Sequence, residues 1–203
     1  MSGIKYYVLD TETTGLNTSF HEIIELSIIR AEDRVQFSRN IKAEFPQNAS
    51  FEALQITGKT QADLKYGEPR DLIVKQAMAF FEEDGLTPNH RCIVAHNAPF
   101  DRRFLHSMWE KSQMNFPAVM WLDTMALARA YAKKEGIVKP KLRLPDVVAM
   151  IGSKRVTGEH NAKDDARNAY LVWKKFIDDG FIALDYIKRF PHGEKEEVVE
   201  END

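Results

Sequence analysis

Ile4-Lys-Tyr-Tyr-Val-Leu-Asp10-Thr-Glu12-Thr-Thr-Gly15 decides the fold of this chain. Residues 4–9 form a short, largely apolar run that reads as a central strand. Side chains two apart on a strand share a face, so Asp10 and Glu12 project together from its C-terminal end. That is the edge where α/β sheets tend to place ligands. Thr13-Thr14-Gly15 then makes a tight polar turn.

Working outward, residues 23–31 read as a second strand and 35–41 as a third, the short gap between them suggesting a hairpin. A loop is expected next, with Pro46, Asn48 and Gly58 as breakers. Helical periodicity runs over 68–84 through Leu72, Val74, Ala77, Phe80 and Phe81. Residues 92–95 read as a fourth strand, Pro99 opens a helix to about Ser112, and 119–122 read as a fifth strand. Helices fit 124–134, 144–151 and 162–177. Three antiparallel strands followed by alternating helices and strands predict an α/β fold with a mixed five-stranded sheet.

With 203 residues the chain is about one domain long and can bury a substantial core. Residues 1–190 are expected to form that domain, with Gly180 to Phe190 as a short docked extension. Residues 191–203 read as an acidic, disordered tail. The net charge is −3. From His192 to Asp203 there are six acids and one lysine, so the rest of the chain is net positive. Lys133 to Arg155 holds seven basic residues and two acids, which fits either a phosphate-contacting footprint or a solvated helix face. The single cysteine, Cys92, lies in an apolar run and reads as a core residue in a reducing compartment. No stretch approaches the length of a membrane span and no signal-peptide layout is present, so a cytoplasmic location is expected.

Two more acids point inward. Leu105 and Met108 follow Asp101 at helical spacing, and Ala169, Val172 and Phe176 follow Asp165 in the same way. A carboxylate aimed at a core is costly unless something positive meets it. With no matching inward lysine or arginine apparent, bound hard cations are expected, Mg2+ or Mn2+. Asp164 is expected to point towards Asn168, away from that face. His160, just before the helix of Asp165, is placed to act as a base near the metals. His96, at a strand end, reads as a satisfied core histidine, and His21, His90, His106 and His192 as surface residues.

Asp10-Thr-Glu-Thr-Thr-Gly15, His96-Asn-Ala-Pro-Phe-Asp101 and His160-Asn-Ala-Lys-Asp-Asp165 resemble, in order, the three motifs of the DEDDh exonuclease family. Leu54-Gln-Ile-Thr-Gly58 and Leu122-Asp-Thr-Met-Ala-Leu-Ala-Arg129 also resemble family segments. The likeness spans roughly residues 4–178 and extends to proofreading exonucleases such as the epsilon subunit of bacterial DNA polymerase III. It implies an RNase H-like fold and two-metal removal of 5′-mononucleotides from DNA 3′ ends, with RNA as an alternative substrate and a DNA polymerase as a partner. Asp10, Glu12, Asp101 and Asp165 would hold two ions, with His160 as general base. Thr13, Leu16, Ile56, Thr57, Asn97 and Phe100 would bind the nucleic acid, although many relatives carry histidine at the position of Thr57. A non-catalytic accessory module would have lost one of the five catalytic groups, and all five are present. Gln76 to Phe80 superficially resembles a sliding-clamp peptide, but its apolar residues fit the core of an amphipathic helix.

Overall fold

The computed structural model describes residues 3–156, 161–180 and 186–190. His160, His192 and the acidic tail lie outside the described residues. The described strands are β1 (Lys5–Thr13), β2 (Ile23–Arg30), β3 (Gln36–Asn40), β4 (Arg91–Ala95), β5 (Met120–Asp123) and β6 (Ile187–Arg189). They form one sheet in the order β3-β2-β1-β4-β5-β6. β1, β2 and β3 are antiparallel neighbours, β1, β4 and β5 are parallel, and β6 returns antiparallel to β5.

The helices are α1 (Phe51–Thr57), α2 (Arg70–Glu82), α3 (Ala98–Lys111), α4 (Thr124–Lys134), α5 (Leu144–Met150) and α6 (Ala162–Asp178). They cover both faces of the sheet. Tyr7 and Leu9 of β1 pack with Ile73, Phe81, Leu105 and Trp109 of α2 and α3. Val8, next to them on the strand, packs the opposite way with Val147, Val172 and Phe176 of α5 and α6. Cys92 is buried in this second core, and Ala77 and Phe80 of the clamp-like stretch are buried in the first. Among the described residues no helix is long and apolar enough to cross a membrane.

Two elements differ from expectation. The loop after β3 contains helix α1, whose seven residues lie between the anticipated breakers. Ser50 caps it by accepting from Ala53 N, and Gly58 ends it at φ 65°, where a side chain would be strained. The sheet also has six strands rather than five. The described part of the docked extension adds β6, and Phe190 N donates to Val119 O at 2.8 Å. Three residues at a sheet edge are too few to show a period.

The N-terminal ends of β1 and β4 are locked by a buried ion pair. Arg91 Nη2 lies 2.7 Å from Asp84 Oδ1, and the Tyr7 hydroxyl donates to Asp84 Oδ2 at 2.8 Å. Burial alone would raise the Asp84 carboxyl, but the Arg91, Leu86 N–H and Tyr7 contacts outweigh it and hold it below its usual range. The opposite end of β1 carries Asp10 and Glu12.

Candidate active site

β1 leads back to β2 on one side, whereas β4 leads on through α3 to β5 on the other. The C-terminal ends of β1 and β4 therefore flank a switch point, where a crevice opens. Asp10 and Glu12 leave β1 on the face covered by α6. There the carboxylates of Asp10, Glu12 and Asp165 offer oxygen atoms that all lie within 4.8 Å of one another. Asp101 comes from the first turn of α3, is 3% exposed and accepts from Thr11 Oγ1 at 2.8 Å. Thr11 points to the α3 side of β1, so Asp101 joins the cluster from the other face of the strand.

These groups repel each other in a poorly solvated place. Desolvation, reinforced by Asp101, Glu12, Asp165 and Glu25, pushes Asp10 well above the ordinary carboxylate range. Desolvation with Glu25, Asp165 and Asp101 raises Glu12 to about 8, against a lowering by Lys59. Desolvation also raises Asp101 to about 7, although the Thr11 hydrogen bond opposes it. A cluster of desolvated oxygen donors fits a hard divalent cation, whose charge would offset the repulsion.

The raised carboxyls predict a pH dependence without divalent metal. Glu12 and Asp101 keep protons in the folded state at pH values where the unfolded chain, with ordinary values of 4.5 and 3.8, has released them. The stability they contribute is fully present below about pH 4 and is lost as pH rises through 7 to 8. The Tm in chelator should fall from pH 5 to pH 9, by roughly 2–4 °C for each kcal/mol lost. Excess Mn2+ should shrink that fall. Thermal melts across the range check it, and a Tm that climbs over the same window refutes it.

Some expectations need correction. Asp164 does not face Asn168. It completes the α6 N-terminus, where its N–H donates to Asn161 Oδ1 at 2.9 Å and its carboxylate pairs with Arg167. Asn168 is fully buried and donates to Asp165 Oδ1 at 3.3 Å, because residues three apart share a helix face. Inward cations do exist. Arg155 Nη2 lies 3.7 Å from Asp165 Oδ1, and Lys59 Nζ lies 2.5 Å from Glu25 Oε1. Glu25 stands opposite Glu12 on β2, and its other oxygen accepts from Ala162 N at the start of α6. Its signal in the sequence is a lone charge within an apolar strand. Lys59 and Arg155 carried no comparable signal, since a solvated lysine or arginine looks the same.

The histidines also sort differently. His96 is satisfied as expected, with Nδ1 2.9 Å from Thr124 Oγ1 and Nε2 2.7 Å from Leu142 O. Burial lowers its pKa. His90 is exposed. His106 is half-buried, with its ring packed 5.4 Å from that of Phe116. His21 closes over Gly15, where a Cβ would come within 2.5 Å of the imidazole.

Beside the cluster lies an open cavity of about 450 Å³. Glu12, Thr13, Leu16, Ile56, Thr57 and Phe100 line it. Leu16 and Ile56 are mostly exposed there, at 79% and 58%. Thr57 Oγ1 donates to Ala53 O at 2.8 Å, within its own helix. Asn97 does not line this cavity. It takes a left-handed conformation at φ 68° before α3, and its N–H donates to Asp123 Oδ1. The structure thus gathers every anticipated nucleotide-binding residue except Asn97.

The mixed α/β sheet, with helices on both faces, thus gathers these acids at its switch point. The family model described as exonuclease, RNase_T, matches residues 7–173, and the chain belongs to that family. The DNA polymerase III PolC-type of Thermotoga petrophila is 31% identical over 175 residues, covering 85% of this chain and 12% of the relative. The corresponding protein of Listeria innocua is 29% identical over 179 residues, covering 85% of this chain and 11% of the relative. The chain thus spans about an eighth of the length of these curated relatives. Solved structures share the fold. The nuclease domain of 3′hExo, a DEDDh family member bound to rAMP, superposes with a TM-score of 0.69 at 17% identity. The match covers 88% of this chain and 94% of that one. E. coli Exonuclease I in complex with a dT13 oligonucleotide gives 0.70 at 18% identity, covering 86% and 41%.

Proposed function

We propose that this chain is a metal-dependent 3′→5′ exonuclease that releases 5′-mononucleotides from DNA 3′ ends, with residues 1–190 as one catalytic domain. The observation that carries the reading is the meeting of the carboxylates of Asp10, Glu12 and Asp165 with an apolar cavity of about 450 Å³. Such a volume suits one nucleoside. A chain end held in a cavity beside the reacting phosphate favours removal of terminal nucleotides over internal cleavage.

Asp10, Glu12, Asp101 and Asp165 would hold two Mg2+ or Mn2+ ions. When bound, these supply Lewis acidity and charge stabilisation at the phosphodiester. The chain's own groups do the rest. Phe100 would stack on the terminal base, and Leu16 and Ile56 would contact its apolar surface. Thr13, Gly15 and Thr57 also line the cavity. His160 would take the proton of the attacking water. The exposed Lys133, Lys134, Lys139, Lys141 and Arg143 would contact phosphates further along the strand. The polymerase names of the relatives support a DNA substrate and a DNA polymerase partner. The buried, unpaired Cys92 fits a reducing, cytoplasmic setting.

The test is release of label from matched DNA and RNA oligonucleotides tagged at either end. The 3′ label should leave DNA first, and a 3′-phosphorylated DNA twin should be cut far more slowly, because the cavity is sized for an unblocked end. Equal rates with the blocked twin, or release from the 5′ end first, would remove the polarity. Faster cutting of RNA would move the substrate to RNA.

A further inference from the structure

Asn168 makes three hydrogen bonds from a fully buried position. Its Oδ1 accepts from Val156 N at 2.8 Å, and its Nδ2 donates to Val156 O at 3.4 Å and to Asp165 Oδ1 at 3.3 Å. The Val156 N–H fixes which end of the amide is oxygen, so a nitrogen must face the Asp165 carboxylate. The guanidinium of Arg155, one residue before Val156, approaches the same Asp165 oxygen at 3.7 Å. We propose that Asn168 is the positioning residue of the acidic cluster, tying the Asp165 carboxylate to the Val156 backbone and so holding it towards Asp10 and Glu12.

The inference rests on the exonuclease reading above but concerns a residue that touches neither metal nor substrate. A buried asparagine that only closed a loop would need the two Val156 bonds. The third bond aims at a carboxylate of the cluster. Asp165 sits on the first turn of α6 with its side chain 15% exposed, and the Asn168 bond narrows the rotamers its carboxylate can take. Polar partners behind a ligating side chain typically contribute about 10–100-fold to metal affinity or activity. Asn168 also sets where Arg155 begins, because it holds the next peptide group.

The experiment uses the full chain. Mn2+ binding is measured by calorimetry without nucleic acid for wild type, Asn168→Ala and Asn168→Ser, together with Tm and with kcat and KM on a 3′-labelled oligonucleotide. Serine keeps a polar group in the pocket, so it decides the matter if the alanine protein does not fold. Mn2+ affinity should weaken about 10–100-fold. At limiting Mn2+, kcat should fall while KM stays, and raising Mn2+ should recover part of the rate. Wild-type Mn2+ affinity in a folded Asn168 variant would overturn the positioning role, whether or not Tm drops. Asp165→Asn runs in parallel. If it too binds Mn2+ as wild type does, the metal reading of the cluster fails. If it loses Mn2+ while the Asn168 variants do not, only the role of Asn168 fails.

Discussion

Asp10→Asn is expected to abolish nucleotide release while making the metal-free protein more stable. Asp10 has Asp101, Glu12, Asp165 and Glu25 as like-charged neighbours. Asparagine keeps the volume and removes the charge. Without metal, that relieves the repulsion, and Tm in chelator should rise. With metal, the loss is of one of the carboxylates that, with Glu12 and Asp165, would hold the ion. Metal-derived charge stabilisation amounts to several kcal/mol at the transition state, and each 1.36 kcal/mol is tenfold in rate. Turnover on a 3′-labelled oligonucleotide with Mg2+ should therefore drop by about 10³-fold or more. The paired measurement separates catalysis from folding. Near wild-type turnover in Asp10→Asn would end the metal-cluster reading.

His160→Ala is expected to lose about 10²–10⁴-fold in the chemical step, the usual contribution of a general base. An imidazole in isolation titrates near pH 6.5, so a histidine can serve as a base near neutrality. His160 lies outside the described residues, but it directly precedes Asn161, the cap of α6, five residues before Asp165. Binding of DNA and metal should survive the substitution, because His160 supplies neither. His96→Ala should behave differently. Its ring bridges Thr124 and the Leu142 carbonyl, and an unsatisfied buried partner costs about 1–3 kcal/mol. Single-turnover cleavage against pH, run for wild type and both variants, distinguishes them. A folded His96→Ala without catalysis beside a His160→Ala with the wild-type profile would reverse the two roles.

The order of strands and helices was legible because each long element carries its own period. The apolar run of β1 and the three-and-four spacing of α2, α3 and α6 need no neighbour to be read. The acids were legible for a related reason: Asp10 and Glu12 stand two apart at a strand end, and Asp101 and Asp165 stand at helical spacing from apolar residues. Short elements escaped this reading. Seven residues of α1 and three of β6 hold too few turns or alternations to stand out from loop. For Asp164 the turn away from the cluster was legible, but its partners, Asn161 and Arg167 rather than Asn168, were not, because only the folded helix start brings them to it.

The sequence by itself determined the alternation of elements, the three acidic motifs and the inward aim of their carboxylates, since these follow from local periodicity and from the cost of burying charge. Only the tertiary structure decided how those carboxylates are held. Thr11 behind Asp101, Glu25 and Lys59 at the start of α6, and Asn168 with Arg155 behind Asp165 come from segments far apart along the chain or from positions with no periodic mark. Hydrogen bonds and ion pairs act over about 3–4 Å. Their partners are therefore set by where the sheet and α6 bring the backbone, a long-range outcome that no local pattern encodes.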